Sequence, residues 1–192
     1  MASAPTPTIL TVSGLIGSGK TSVCRELSGL TGWRVVSAGT ILRRMAEDRG
    51  LSVIELNEIA KTDESIDKLI DDQLIALRDS TESLIVDSRL AWHFIPSSYK
   101  VHLIVDTSIA ANRVFNAQRS DESYATPEAA YAANAQRQTI ENERFKQYYG
   151  IDCEDRSNYD LILDSSATMP AELAARMFEA VTNRDLVAAD KH

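Results

Sequence analysis

The sequence is poor in several things, and each shortage narrows what the protein can be. Its 192 residues hold two cysteines, Cys24 and Cys153. They are far apart and in no ligand-like spacing, so neither a disulfide framework nor a cysteine metal centre is expected. Cys24 reads instead as a small buried hydrophobe in a helix. No apolar run approaches the ~18 residues that a membrane span needs, so no membrane partner is expected. Basic residues are outnumbered, with 20 Lys and Arg against 28 Asp and Glu and a net charge of −8. Binders of nucleic-acid polymers usually carry a basic surplus, so that class of partner is disfavoured. A local basic pocket for phosphate groups remains compatible with the balance. Internal repeats are absent, as is any linker between two large domains. Residues 1–8 are short, uncharged and rich in Pro, Ala and Thr. They read as a loose tail rather than a leader peptide. A single domain acting as a monomer in the cytoplasm is the resulting expectation.

What is present is more particular. Gly14-Leu15-Ile16-Gly17-Ser18-Gly19-Lys20-Thr21 fits the P-loop pattern G-x-x-x-x-G-K-[ST] at every fixed position. The context fits too, because a short β-rich run, Ile9-Leu10-Thr11-Val12, precedes it and residues 22–30 read as a helix. Glycines let a backbone turn its successive N–H groups toward a phosphate. The helix that follows adds the positive end of its dipole. In such a loop Lys20 reaches the β- and γ-phosphates of ATP, and Thr21 offers its hydroxyl to Mg²⁺.

Five candidate strands, 9–13, 33–37, 83–87, 101–106 and 159–164, alternate with helical stretches. That alternation predicts an α/β fold, a P-loop three-layer sandwich with a five-stranded parallel sheet and helices on both faces. Ligands of such sheets sit at the carboxyl ends of the strands. The strand at 83–87 ends in Asp87, the Walker-B arrangement in which a carboxylate helps to hold Mg²⁺. Arg89, two residues on, is placed to point into the same cleft. Some 45 residues of helix lie between the second and third strands, which is long for a simple crossover and suggests a helical flap over a second ligand. Within it Ser52-Val53-Ile54-Glu55 reads as a capping box. Asp67 and Asp71 lie one turn apart on a helix spanning about 63–77.

Thr126-Pro127-Glu128 is a strong helix start, with Thr as N-cap and Pro in the first turn. The helix that follows carries Arg137, Glu141, Arg144 and Tyr148 at i, i+4, i+7 and i+11, one face. That face reads as a lid carrying arginines to a transferring phosphoryl group, whose charge is spread over three oxygens. The predicted organisation is therefore a core (about 8–37, 83–119 and 150–187), a flap (about 38–80) and a lid (about 120–149). Residues 1–7 and 188–192 are loose tails.

Taken together, these segments resemble the nucleoside monophosphate kinases, and within them the short cytidylate kinases of the archaeal type. The resemblance is carried by the P-loop, by Val36-Ser37-Ala38-Gly39 before a helix with Arg43, and by Arg49-Gly50-Leu51-Ser52. Ile66-Asp67, Arg89-Leu90-Ala91 and the stretch from Arg137 through Arg144 add to it. So do Tyr149-Gly150-Ile151-Asp152 and the segment from Tyr159 to Ser165. It implies transfer of the γ-phosphoryl group of ATP–Mg²⁺ to CMP or dCMP. It further implies that Gly14, Leu15, Ile16, Gly17, Ser18, Gly19, Lys20 and Thr21 hold the ATP phosphates, with Arg119 near the ATP base. Ser37, Gly39 and Arg43 would line the monophosphate site, Arg89 would grip the acceptor phosphate, and Asp67 would contact the acceptor base. Arg137 and Arg144 match the lid arginines.

The sequence departs from the family pattern in four places. Ser88 replaces a usual Gly, Asp72 and Gln73 replace basic residues, and Gln138 replaces an acid. The lid segment 120–135 is rich in alanine. The flap changes bear on the choice of base more than on the reaction. A P-loop kinase of another acceptor, such as AMP or a small hydroxylated metabolite, is the second expectation. A non-catalytic nucleotide switch is the third, disfavoured because the Asn-Lys-x-Asp motif of GTPases is missing.

Overall fold

The structure is a computed structural model that describes residues 7–60, 62–117 and 124–189. Among these the strands are β1 (Ile9–Gly14), β2 (Arg34–Ser37), β3 (Leu84–Asp87), β4 (Tyr99–Ile104) and β5 (Leu161–Asp164). They form one sheet in the order β2-β3-β1-β4-β5, and every neighbouring pair is parallel. The sheet thus matches the expected count and direction. β4 starts and ends two residues before the predicted 101–106, for a local reason. Asp106 leaves the ladder to cap the next helix, its Oδ1 accepting from the backbone N–H groups of Ser108 and Ile109 at 2.8 and 3.3 Å.

The inner strands are largely buried, as expected where both faces of a parallel sheet are covered, and β3 is apolar up to Asp87. Alternate side chains enter different cores. Leu10, Val12 and Ile85 pack with Val23 and Leu27 of α1 (Lys20–Thr31) and with Leu173, Met177 and Val181 of α8 (Pro170–Ala189). Ile9, Leu84 and Val86 pack on the other face with Trp92 and Phe94 of α5 (Ala91–Phe94). Leu74 of α4 (Glu64–Ala76) and Phe145 of α7 (Pro127–Tyr149) complete that second core. Cys24 is buried in the first core, as its helix position implied.

The crossover from β2 to β3 holds α2 (Ala38–Glu47), α3 (Val53–Ala60) and α4. These helices have a core of their own, built from Met45, Ala46, Val53, Leu56, Ala60 and Ile66. The capping box forms as read from the sequence. Glu55 Oε2 accepts from the Ser52 N–H at 2.7 Å, and Ser52 Oγ accepts from the Glu55 N–H at 3.2 Å. The start of α7 also forms as read, with Thr126 Oγ1 accepting from the Ala129 N–H. Between β4 and α7 runs α6 (Thr107–Ala117). β1, β2 and β3 therefore all deliver their carboxyl ends to the space beneath α2–α4 and α7.

Candidate active site

That space is a cavity of about 860 Å³, lined by the P-loop, Ser37, Gly39, Arg43, Asp67, Asp87, Arg89, Arg137 and Arg144. Its size suits a small-molecule site. Residues expected from five separate segments of the sequence thus face one volume. Arg119 lies outside the described residues.

The loop after β1 has the backbone that the motif requires. Gly17 has φ +82°, and a Cβ there would lie 2.7 Å from the Ala110 carbonyl oxygen, so α6 presses against the loop. Gly19, in the left-handed region at φ +81°, is the N-cap of α1. The exposed N–H groups at that helix start suit an anion. Lys20 Nζ donates to the carbonyls of Gly14 and Leu15 at 2.8 and 3.0 Å. Burial pushes the Lys20 amine below its usual range, with Asp87 opposing and Arg89 reinforcing the shift. Thr21 Oγ1 donates to Asp87 Oδ2 at 3.0 Å. A hydroxyl and a buried carboxylate side by side form a hard oxygen-donor pair. It fits Mg²⁺, which takes one or two such protein ligands together with substrate phosphates and water.

Facing the loop is a cluster of arginines. Arg89 Nη1 meets Glu141 Oε2 at 2.6 Å, and Arg137 Nε meets Glu141 Oε1 at 2.9 Å. Arg89 also donates to Asn142 Oδ1. Its own carbonyl accepts from Trp92 Nε1 at 2.8 Å, which fixes the chain where β3 ends. Burial alone would raise the Glu141 carboxyl, but the Arg89 and Arg137 guanidinium groups outweigh it and hold the carboxyl below its ordinary range. Arg144 Nε pairs with Asp67 Oδ2 at 2.9 Å, linking the lid helix to the flap. The guanidinium groups of Arg89 and Arg144 lie 5.4 and 5.8 Å from the centre of the Phe145 ring.

Four features of the site were not anticipated from spacing. Arg113 of α6 donates to Gly17 O in the P-loop and to Ser165 O and Ser166 O after β5, at 3.5, 2.7 and 3.4 Å. It lies three residues after Ala110, on the helix face that meets the loop, a placement that the sequence alone does not give. Asn57 of α3 lines the flap side of the cavity. Tyr149, rather than Tyr148, reaches the flap, donating to Asp71 Oδ2. Glu141, grouped by spacing with the lid arginines, proves to be the shared counter-ion of Arg89 and Arg137. His93 and His102 do not line the cavity. His102 is buried against the Tyr159 ring, with centroids 4.4 Å apart, and burial pushes it down to about 4.

Asp71 yields a test of the electrostatics. Burial raises its carboxyl from 3.8 to about 6, with the Tyr149 hydrogen bond and Arg144 opposing and Asp67 and Asp72 reinforcing. Below pH 3.8 it is protonated in both folded and unfolded chains. Between 3.8 and about 6 the unfolded chain ionises first, so this residue's contribution to stability falls as pH rises. The difference in urea midpoint between Asp71→Asn and the parent chain should therefore move in favour of the variant from pH 4 to 6, then level off. A difference that stays flat across that window would show that the carboxyl is not shifted.

Comparisons with known proteins bear on the family and the fold. The sequence profile described as the cytidylate kinase-like family matches residues 9–167. A cytidylate kinase of Methanothrix thermoacetophila is 40% identical over 157 residues, covering 82% of this chain and 88% of its own. One from Methanocella arvoryzae is 35% identical over 173 residues, covering 90% and 96%. Among solved structures, a shikimate kinase from Bacteroides thetaiotaomicron superposes with a TM-score of 0.62 at 12% identity, over 92% of this chain and 98% of its own. That last likeness speaks to the fold alone.

Proposed function

The chain belongs to the cytidylate kinase-like family, and from that premise we infer that it transfers the γ-phosphoryl group of ATP to CMP or dCMP. One observation carries the reading to these residues. The P-loop lysine, the Walker-type acid, the strand-end arginine and two lid-helix arginines line a single cavity beneath a separate helical flap.

The P-loop amides and Lys20 would hold the ATP phosphates. Arg113, bridging Gly17 and the Ser165–Ser166 carbonyls, would border the ATP base in place of, or beside, Arg119. Ser37, Gly39, Arg43 and Arg89 would seat the acceptor phosphate. Its attacking oxygen is already ionised at neutral pH, so the protein supplies no general base. The work left is alignment and charge neutralisation. Arg89, Arg137 and Lys20 outnumber Glu141 and Asp87 around the transfer point, so the site keeps a positive surplus for the phosphoryl oxygens. Thr21 and Asp87 would hold Mg²⁺, which supplies further neutralisation when bound. The flap (38–80) and the lid (120–149) are the parts proposed to close, excluding water that would otherwise hydrolyse ATP.

A monomer is the working unit in this proposal. Both cysteines are buried and unpaired, which suits a reducing cytoplasm. No described helix is long and apolar enough to cross a membrane.

The test is an ADP-release assay with ATP–Mg²⁺ and a panel of CMP, dCMP, UMP, AMP and GMP. Selective turnover of CMP or dCMP is expected. Turnover confined to another monophosphate would keep the mechanism and overturn the base. Silence across the panel would overturn the function.

A further inference from the structure

The geometry points to Asp71, oriented by Tyr149, as the residue that selects the acceptor base, its carboxyl accepting a hydrogen bond from the exocyclic amine of cytosine. This inference rests on the kinase reading above and goes beyond it by naming the specificity device.

The flap wall of the cavity is built from Leu42, Asn57, Ala60, Ile70, Asp71 and Leu74. It is mostly apolar, the kind of surface that takes a flat base. From α3 and α4 three polar side chains face the cavity: Asn57, Asp67 and Asp71. Asn57 and Asp67 are each engaged in part. Asn57 Nδ2 donates to Val53 O at 2.9 Å, inside its own helix. Asp67 pairs with Arg144 at 2.9 Å, so its charge serves the lid arginine. Asp71 Oδ2 accepts from the Tyr149 hydroxyl, and Asp71 Oδ1 has no hydrogen-bond partner among the described residues. Asp71 is thus the carboxylate on this wall that a neutral hydroxyl orients while its other oxygen stays available.

Its position is well fixed. Tyr149 stands edge-on to Phe94, with ring centroids 5.4 Å apart, and packs near Phe145 and His93. A hydroxyl held in that way pins one carboxyl oxygen and leaves the other with a defined direction. Tyr149 is a positioning residue in this scheme, acting through Asp71.

The chemistry discriminates. Cytosine offers an amine donor where uracil offers a carbonyl oxygen, and an Asp or Glu oxygen accepting from the cytosine amine is a standard pairing. Uracil at the same place would set two acceptors face to face. Burial raises the Asp71 carboxyl to about 6, so above that pH the ionised, acceptor-only form discriminates, whereas the protonated acid can donate O–H to cytosine N3 or to the uracil carbonyl alike. Asp71→Asn has nearly the same shape but brings an N–H₂ that can serve the uracil carbonyl.

The experiment compares kcat/KM for CMP and UMP in the parent enzyme and in Asp71→Asn, Tyr149→Phe and Asp67→Asn, with the KM for ATP measured in each. In Asp71→Asn the CMP:UMP ratio should fall by about 10- to 100-fold, with the KM for ATP unchanged. Tyr149→Phe should raise the KM for CMP without moving the KM for ATP, and should add nothing further when placed on Asp71→Asn. Asp67→Asn should lower kcat for both acceptors and leave their ratio alone. A ratio within threefold of the parent in Asp71→Asn overturns the assignment while the kinase reading stands. If that variant does not fold, an unchanged KM for CMP in Tyr149→Phe overturns it. A parent enzyme that prefers UMP overturns the assignment alone, and a parent inert toward every monophosphate overturns both.

Discussion

Arg137→Ala is expected to lower kcat by roughly 10²- to 10⁵-fold, the range seen when an arginine that stabilises a transferring phosphoryl group is lost, with the KM for ATP changed far less. Arg144→Ala should fall in the same range, but the two variants should part company in stability. Arg137 is about one-third exposed and shares Glu141 with Arg89. Its removal leaves Glu141 a second guanidinium partner, so folding should be little affected. Arg144 and Asp67 form a pair in which each side chain is only about one-tenth exposed. Deleting the arginine strands a buried carboxylate, a change that typically costs about 3–5 kcal/mol. Adding Asp67→Asn to Arg144→Ala should return most of that stability and none of the rate. Steady-state kinetics beside urea denaturation separates the two effects. Near-normal turnover in both single variants would remove the lid helix from the chemistry.

Much of this arrangement was legible in the sequence because its signals are local. Short apolar runs ending in Gly14 and Asp87, a loop of fixed spacing, and the caps at Ser52–Glu55 and Thr126 each act over a few residues. The structure keeps all of them. The features that escaped depend on how elements meet. Arg113 finds partners 96 and 52 positions away, at Gly17 and Ser165. No periodicity within α6 encodes which loops will close over it. Tyr148 and Tyr149 are adjacent and therefore about 100° apart around α7. Spacing with Arg144 favoured Tyr148, whereas the crossing of α7 over α4 brings Tyr149 to Asp71. The same crossing pairs Asp67 with Arg144 and Asp71 with Tyr149, so two acids one turn apart on α4 acquire different partners. Pairing of charges across helices is a tertiary fact, and it redistributes roles among residues that a single helix face makes equivalent.

The second large effect expected is at Lys20. Lys20→Ala should reduce phosphoryl transfer at least 10²- to 10³-fold, the usual consequence of losing one preorganised charge at the reacting group, while circular dichroism shows a folded chain. Two opposing terms decide the folding half of that prediction. Removing the amine leaves the Gly14 and Leu15 carbonyls without the bonds they receive at 2.8 and 3.0 Å, and each unsatisfied buried acceptor costs about 1–3 kcal/mol. Burial, however, disfavours the charged lysine, as the downward push on its amine shows, and its removal relieves that penalty. Lys20 lines the cavity, so the space its amine leaves is open to water, which can take its place at the carbonyls. The two terms therefore largely offset, and stability should move by no more than about 1–2 kcal/mol. Lys20→Arg discriminates further. Its charge is retained, but a planar guanidinium is a poor substitute where a compact ammonium must pass between two loop carbonyls. It should recover ATP binding more than turnover. Transfer within tenfold of the parent in Lys20→Ala would mean that the loop amides and the arginine cluster neutralise the phosphates by themselves. That outcome would move the centre of the chemistry from the P-loop to Arg89 and Arg137.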